Sequence, residues 1–95
     1  MFNVSSQLYE ELAARLRDAI AHDNYFSGSI AFPFDDADCK LTASLVIYRR
    51  RLEMPDGLFD TIADVVPVWW EFSTVRDGVT LLNDFSFSEL KEFLL

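Results

Sequence analysis

The sequence predicts an α+β domain: a four-stranded antiparallel sheet built from two hairpins, with helices packed on one face, in the order α-β-β-(short α)-β-β-α. Three observations carry this prediction. The chain opens with an apolar repeat every four residues, continues into segments that alternate apolar and polar residues, and places Asp77-Gly78 between two apolar runs.

The first element is a helix from about Ser6 to Asp23. Ser5 or Ser6 can accept a backbone N–H as N-cap, and Glu10 and Glu11 suit the positive end of the helix dipole. With Ser5 as cap, Val4 and Tyr9 stand at hydrophobic-staple positions. Leu8, Leu12, Leu16 and Ile20 form one stripe, while Arg15, Arg17 and Asp18 fall off it. Asn24 offers a left-handed stop.

Two strands should follow. Phe26, Gly28, Ile30, Phe32 and Phe34 share one face of the first, residues 26–34. Pro33 cannot donate to a ladder, so this strand belongs at an edge. Asp35-Asp36-Ala37-Asp38 reads as a turn. The second strand, about 39–52, sends Cys39, Leu41, Ala43, Leu45 and Ile47 one way and Lys40, Thr42, Ser44, Val46, Tyr48 and Arg50 the other. Glu53-Met54-Pro55-Asp56-Gly57 should break it.

Leu58, Phe59, Ile62 and Ala63 have helical spacing, which predicts a short helix within 56–64. A third strand should run from about Val66 to Val75 and turn at Asp77-Gly78 into a fourth, Val79 to Phe85. That register sets Thr74 opposite Leu81, Phe72 opposite Asn83 and Trp70 opposite Phe85. Ser86-Phe87-Ser88-Glu89 has capping-box spacing ahead of a terminal helix that shows Phe87, Leu90, Phe93 and Leu94 on one side.

The totals bound the function. Ninety-five residues make a single domain, 1–95, rich enough in aromatic residues to build a core. A net charge of −8 repels phosphate backbones, so no nucleic-acid partner is expected, and a basic protein would be steered toward the chain. Scattered carboxylates also leave mimicry of DNA open. No apolar run reaches the length of a membrane span, and no signal peptide is visible. With Cys39 the sole cysteine, no internal disulfide can form; the expected compartment is the cytoplasm.

Motifs for chemistry are not found. Asp35, Asp36 and Asp38 suggest calcium, but Lys40 falls where an EF-hand loop needs a ligand, so no metal is expected. His22, near a helix end, has no nucleophile or acid beside it. Cys39 reads as a small buried hydrophobe. Arg49-Arg50-Arg51 alternates faces on a strand and should pair with nearby carboxylates, or touch an anion at the sheet end. With no phosphate loop, nucleophile elbow or metalloprotease motif, the chain is expected not to be an enzyme and to need no cofactor.

The segment Val65-Val66-Pro67-Val68-Trp69-Trp70-Glu71-Phe72 is apolar on both faces. Alternation assigns Val66, Val68, Trp70 and Phe72 to the core. It then turns Val65, Pro67, Trp69 and Val75 outward as a candidate interface. Either the terminal helix covers that second face or another molecule does. The function expected is a small acidic protein-interaction module, a homo-oligomer or the binder of a protein partner, acting through the Trp69 face or a sheet edge. The alternative, with a small-molecule ligand the less expected partner, is an aromatic pocket between sheet and helices lined by Phe26, Phe32, Trp70 and Phe72.

Overall fold

A computed structural model describes residues 1–95, the Phe59 side chain excepted. Helix α1 (Ser6–Ile20) starts at Ser5, whose hydroxyl accepts the Leu8 N–H at 3.2 Å. It ends earlier than the spacing suggested. Ala21 takes φ 50° and its N–H returns to the Arg17 carbonyl at 2.9 Å, so the left-handed stop falls three residues before Asn24.

Four strands follow: β1 (Tyr25–Phe34), β2 (Ala37–Met54), β3 (Gly57–Arg76) and β4 (Val79–Leu81), then α2 (Phe87–Leu94). The α+β class, the four-stranded antiparallel sheet and the flanking helices are as the sequence predicts. The sheet is an up-and-down meander, β1-β2-β3-β4. Asp35 and Asp36 both take positive φ, 52° and 60°, giving a two-residue turn whose twist suits a hairpin. Pairing therefore starts at Phe34↔Ala37, tighter than the four-residue turn expected.

The short helix expected within 56–64 is not formed. Residues 57–64 are instead the first part of β3 and pair with the far end of β2, from Met54↔Gly57 to Tyr48↔Asp64. Their helical spacing was too short to decide the matter, and β2's extended backbone supplies partners that a helix would forfeit. Pro55 and Asp56 form the turn. Because β1 pairs β2 only as far as Tyr25↔Val46, residues 48–64 project as a two-stranded arm, and the molecule measures 51 × 23 × 18 Å.

At the other end, Asp77 (φ 51°) and Gly78 (φ 76°) make the predicted turn, and Thr74 pairs with Leu81. The fourth strand stops there instead of reaching Phe85. The N-terminus takes over: Phe2 donates to the Leu82 carbonyl at 2.7 Å and bridges Asn83 in parallel. Asn83 still meets Phe72, by its side-chain amide on the Phe72 carbonyl at 3.2 Å. Ser86 caps α2 without a side-chain hydrogen bond, so the expected capping box is absent; its own N–H donates to the Tyr9 hydroxyl at 2.9 Å.

Both helices lie on one face. Leu8, Leu12, Leu16 and Ile20 of α1 and Leu90 of α2 share one buried cluster with the inner rows of β1 and β2. α1 lies toward β1 and α2 toward β3, and the two helices touch. Tyr9 stacks on Phe93 at 5.9 Å, and an ion pair of 2.6 Å from Lys91 to Asp64 ties α2 to β3.

Candidate functional site

The inner and outer rows of β3 are set by two irregularities. β2 runs without interruption, but β3 carries one extra residue between Ser44↔Trp69 and Leu45↔Pro67, and another between Tyr48↔Asp64 and Arg49↔Ile62. Each is a β-bulge, and each moves the following residues to the opposite face. Val68 and Ala63 are the extra residues.

The consequence divides the sequence-predicted interface. Trp69 faces outward, 52% exposed, as expected; Trp70 lies on the helix-side face against Phe85 at 5.2 Å but stays 39% exposed, so it borders the core and is not buried in it. Beyond the Val68 bulge the assignment inverts. Val65 is 0% exposed and belongs to the core opposite Ile47, so its place in the interface is corrected. Pro67 is half-buried opposite the inward Leu45. Conversely Val66 and Val68, assigned to the core by alternation, are exposed, Val68 by 68%. Val75 is half-buried, roughly 20 Å along the strand from Trp69. It borders a shallow depression of about 460 Å³ with Pro33, Lys40 and Ser73, apart from the Trp69 surface.

What the structure gathers around Trp69 is a different set. Tyr25, Val46 and Val66 align across three strands, and Ser27, Ser44 and Trp69 form the next row. Tyr48 stands exposed on the arm side. The sequence did carry a signal for this patch, the outward parity of Val46 and Tyr48 on β2, but not the bulge that brings Val66 and Val68 to them. On the β1 side the surface is a hydroxyl ladder, Ser27 with Ser44 at 3.2 Å and Ser29 with Thr42 at 2.9 Å. Both helices lie on the opposite face, so this one is open.

Charges frame the patch. Arg50 lies outward on β2 toward the arm, and Glu71, beside Thr42, lies outward at the other end; both are exposed. Among the described residues neither side chain has an ion pair or hydrogen bond. Their neighbours are committed elsewhere. Arg49 donates to the carbonyls of Ala21 and Asp23, each at 2.8 Å, closing the end of α1, and Arg51 reaches Asp60 at 3.6 Å. The arm beyond them exposes Leu52, Met54 and Leu58.

Of the aromatic residues predicted to line an internal pocket, Phe32 and Phe72 are buried in the core, Phe26 is half-buried and Trp70 is partly exposed at its border. Phe72 and Phe85 stack at 4.4 Å, and Trp70 lies against Phe85 and Phe87. Cys39 is buried, and burial pushes its thiol pKa up, with Asp35 and Asp38 adding to the rise. Among the described residues no three His, Cys, Asp or Glu side chains gather as metal ligands, and no helix is long and apolar enough to cross a membrane.

Comparison with known proteins adds no relative: the chain matches no protein-family model, no curated protein and no solved structure.

Proposed function

We propose that this chain is a non-enzymatic protein-interaction module that binds another polypeptide through the open face of its sheet, centred on Trp69. The observation that carries the proposal is the Val68 bulge, which sets Val66 beside Trp69 on a face that no helix covers, with exposed Val68 between them in the chain. Exposed apolar groups are ordinary when scattered, but contiguous ones with aromatic anchors are the surfaces that proteins bury on binding. A net charge of −8 speaks against nucleic acid as the occupant. The lone Cys39, needing no oxidising compartment, favours the cytoplasm as the place of action.

A photoreactive amino acid at Val68, exposed and outside the core, tests the proposal in living cells. The expected result is a covalent adduct to a protein, lost when Trp69→Arg is added and absent when the probe sits at exposed Glu92 on α2. Adducts from Glu92 but not from Val68 would place the working surface elsewhere.

A further inference from the structure

We infer that the occupant of the open face is a second copy of this chain, docked face to face about a two-fold axis that passes over Val46. This rests on the docking-surface proposal and names its partner.

A two-fold interface requires that the surface be complementary to itself: whatever lies at one end must suit what lies at the other. β2 crosses the patch without a bulge, so its outward residues Thr42, Ser44, Val46, Tyr48 and Arg50 are evenly spaced. Arg50 is four residues, about 13 Å, to one side of Val46; Thr42, with Glu71 beside it on β3, is the same distance to the other. A two-fold axis lying between the sheets, perpendicular to the strands, reverses strand direction and keeps each strand over its counterpart. Val46 then meets Val46 and Val66 meets Val66. Tyr48 meets the Ser44–Trp69 row of the other copy, and Arg50 stands above Thr42 within reach of Glu71.

The charges favour this one arrangement. Arg50 and Glu71 are both exposed and without ion-pair partners among the described residues. In the two-fold dimer each finds its opposite, twice. With the axis along the strands instead, Arg50 would face Arg50, and Glu71 would lie over Ser29 of β1, diagonal to Lys40 but away from Arg50. Packed sheets sit about 10 Å apart with side chains interdigitated, which a surface of Val, Tyr and Trp between hydroxyl rows can fill. The free edges suit this mode better than edge-to-edge pairing, since Pro67 and two bulges interrupt β3 and Pro33 blunts β1.

Sedimentation equilibrium on the whole chain tests the inference. Wild type should have twice the 10.9 kDa chain mass at about 100 μM, an affinity well within that of ordinary two-fold interfaces. Arg50→Glu and Glu71→Arg should each weaken the dimer about tenfold or more, because each sets like charges together twice. At concentrations low enough to keep every protein monomeric, their thermal melts should match wild type, as both positions are exposed. Mixed in equal amounts, the two variants should dimerise again. The new carboxylate of one then faces the new guanidinium of the other, and the native Glu71 of the first faces the native Arg50 of the second. A monomeric wild type, variants that dimerise like wild type, or a mixture that stays monomeric would each overturn the inference. A monomeric wild type whose Val68 probe still captures a larger protein would overturn only the identity of the occupant and leave the docking surface in place.

Discussion

Val65 and Trp69 are four residues apart on β3 and stand on opposite faces of the sheet, Val65 sealed in the core and Trp69 half-exposed. An even separation on a regular strand keeps side chains on one face. Val68, the extra residue of the bulge, breaks that parity. Truncation should register the difference. Val65→Ala removes two buried methyls and should cost about 2 kcal/mol, whereas Trp69→Ala should stay within about 1 kcal/mol, both read from denaturant midpoints. Deleting Val68 would restore one-to-one pairing and leave both residues on their present faces, now three apart, so it should cost less than Val65→Ala, whereas inserting a further residue at Val68 should cost more.

The arm should behave as a separate, weaker unit. Residues 48–64 pair only with each other, and a two-stranded ribbon has little stability of its own in water. Amides of Leu52 to Leu58 should exchange with solvent far faster than those of Cys39 to Leu45, measured by hydrogen exchange. Replacing residues 51–60 with a two-residue Asn-Gly turn should change global stability by no more than about 1 kcal/mol. A loss of several kcal/mol would mean that the arm supports the body.

The tie between α2 and β3 should be sensitive to acid. The hydrogen bond from Lys91 holds the Asp64 carboxyl below its ordinary pKa, helped by the Val65 N–H. A carboxylate with a lowered folded pKa favours the native state fully above its unfolded value, and that contribution is lost as pH falls through the folded one. Stability should therefore drop from about pH 4 downward. Asp64→Asn should flatten this acid limb while leaving neutral-pH structure intact, as followed by circular dichroism. An unchanged limb would assign the acid loss to other carboxylates.

Cys39 should be inert while the protein is folded. Burial raises its pKa, and the thiolate is the reactive form. At pH 8 its reaction with a disulfide reagent should be on the order of 100-fold slower than in denaturant. Labelling at equal rates in both would show that the core around Cys39 opens readily.

Much of this fold was legible because local signals agreed with tertiary ones. The stripe of Leu8, Leu12, Leu16 and Ile20, the alternation of β2 and the Asp77-Gly78 turn each specify a local geometry that the whole fold keeps. The failures fall where one residue type fits two geometries. Leu58, Ile62 and Ala63 suit a helix in isolation, but the length of β2 decides for a strand. A bulge such as Val68 leaves no mark in composition: the extra residue is revealed only by the partner strand. Hence Trp69 could be assigned outward and Trp70 inward from alternation, while Val65, Pro67, Val66 and Val68 could not be assigned correctly. Phe2 pairing with Leu82 and Asn83, where β3 was the expected partner, is a contact between distant parts of the chain, which no local pattern encodes.

The central claim, that the face around Trp69 closes on a second copy, is tested most directly by the fluorescence of Trp69 alone. Trp70→Phe leaves Trp69 as the sole tryptophan and keeps an aromatic ring against Phe85. On concentration from nanomolar to about 100 μM, its emission should move to shorter wavelength as the indole leaves water, and Arg50→Glu should suppress that move. Emission that stays at the long wavelength of a solvated indole across the whole range would contradict the claim.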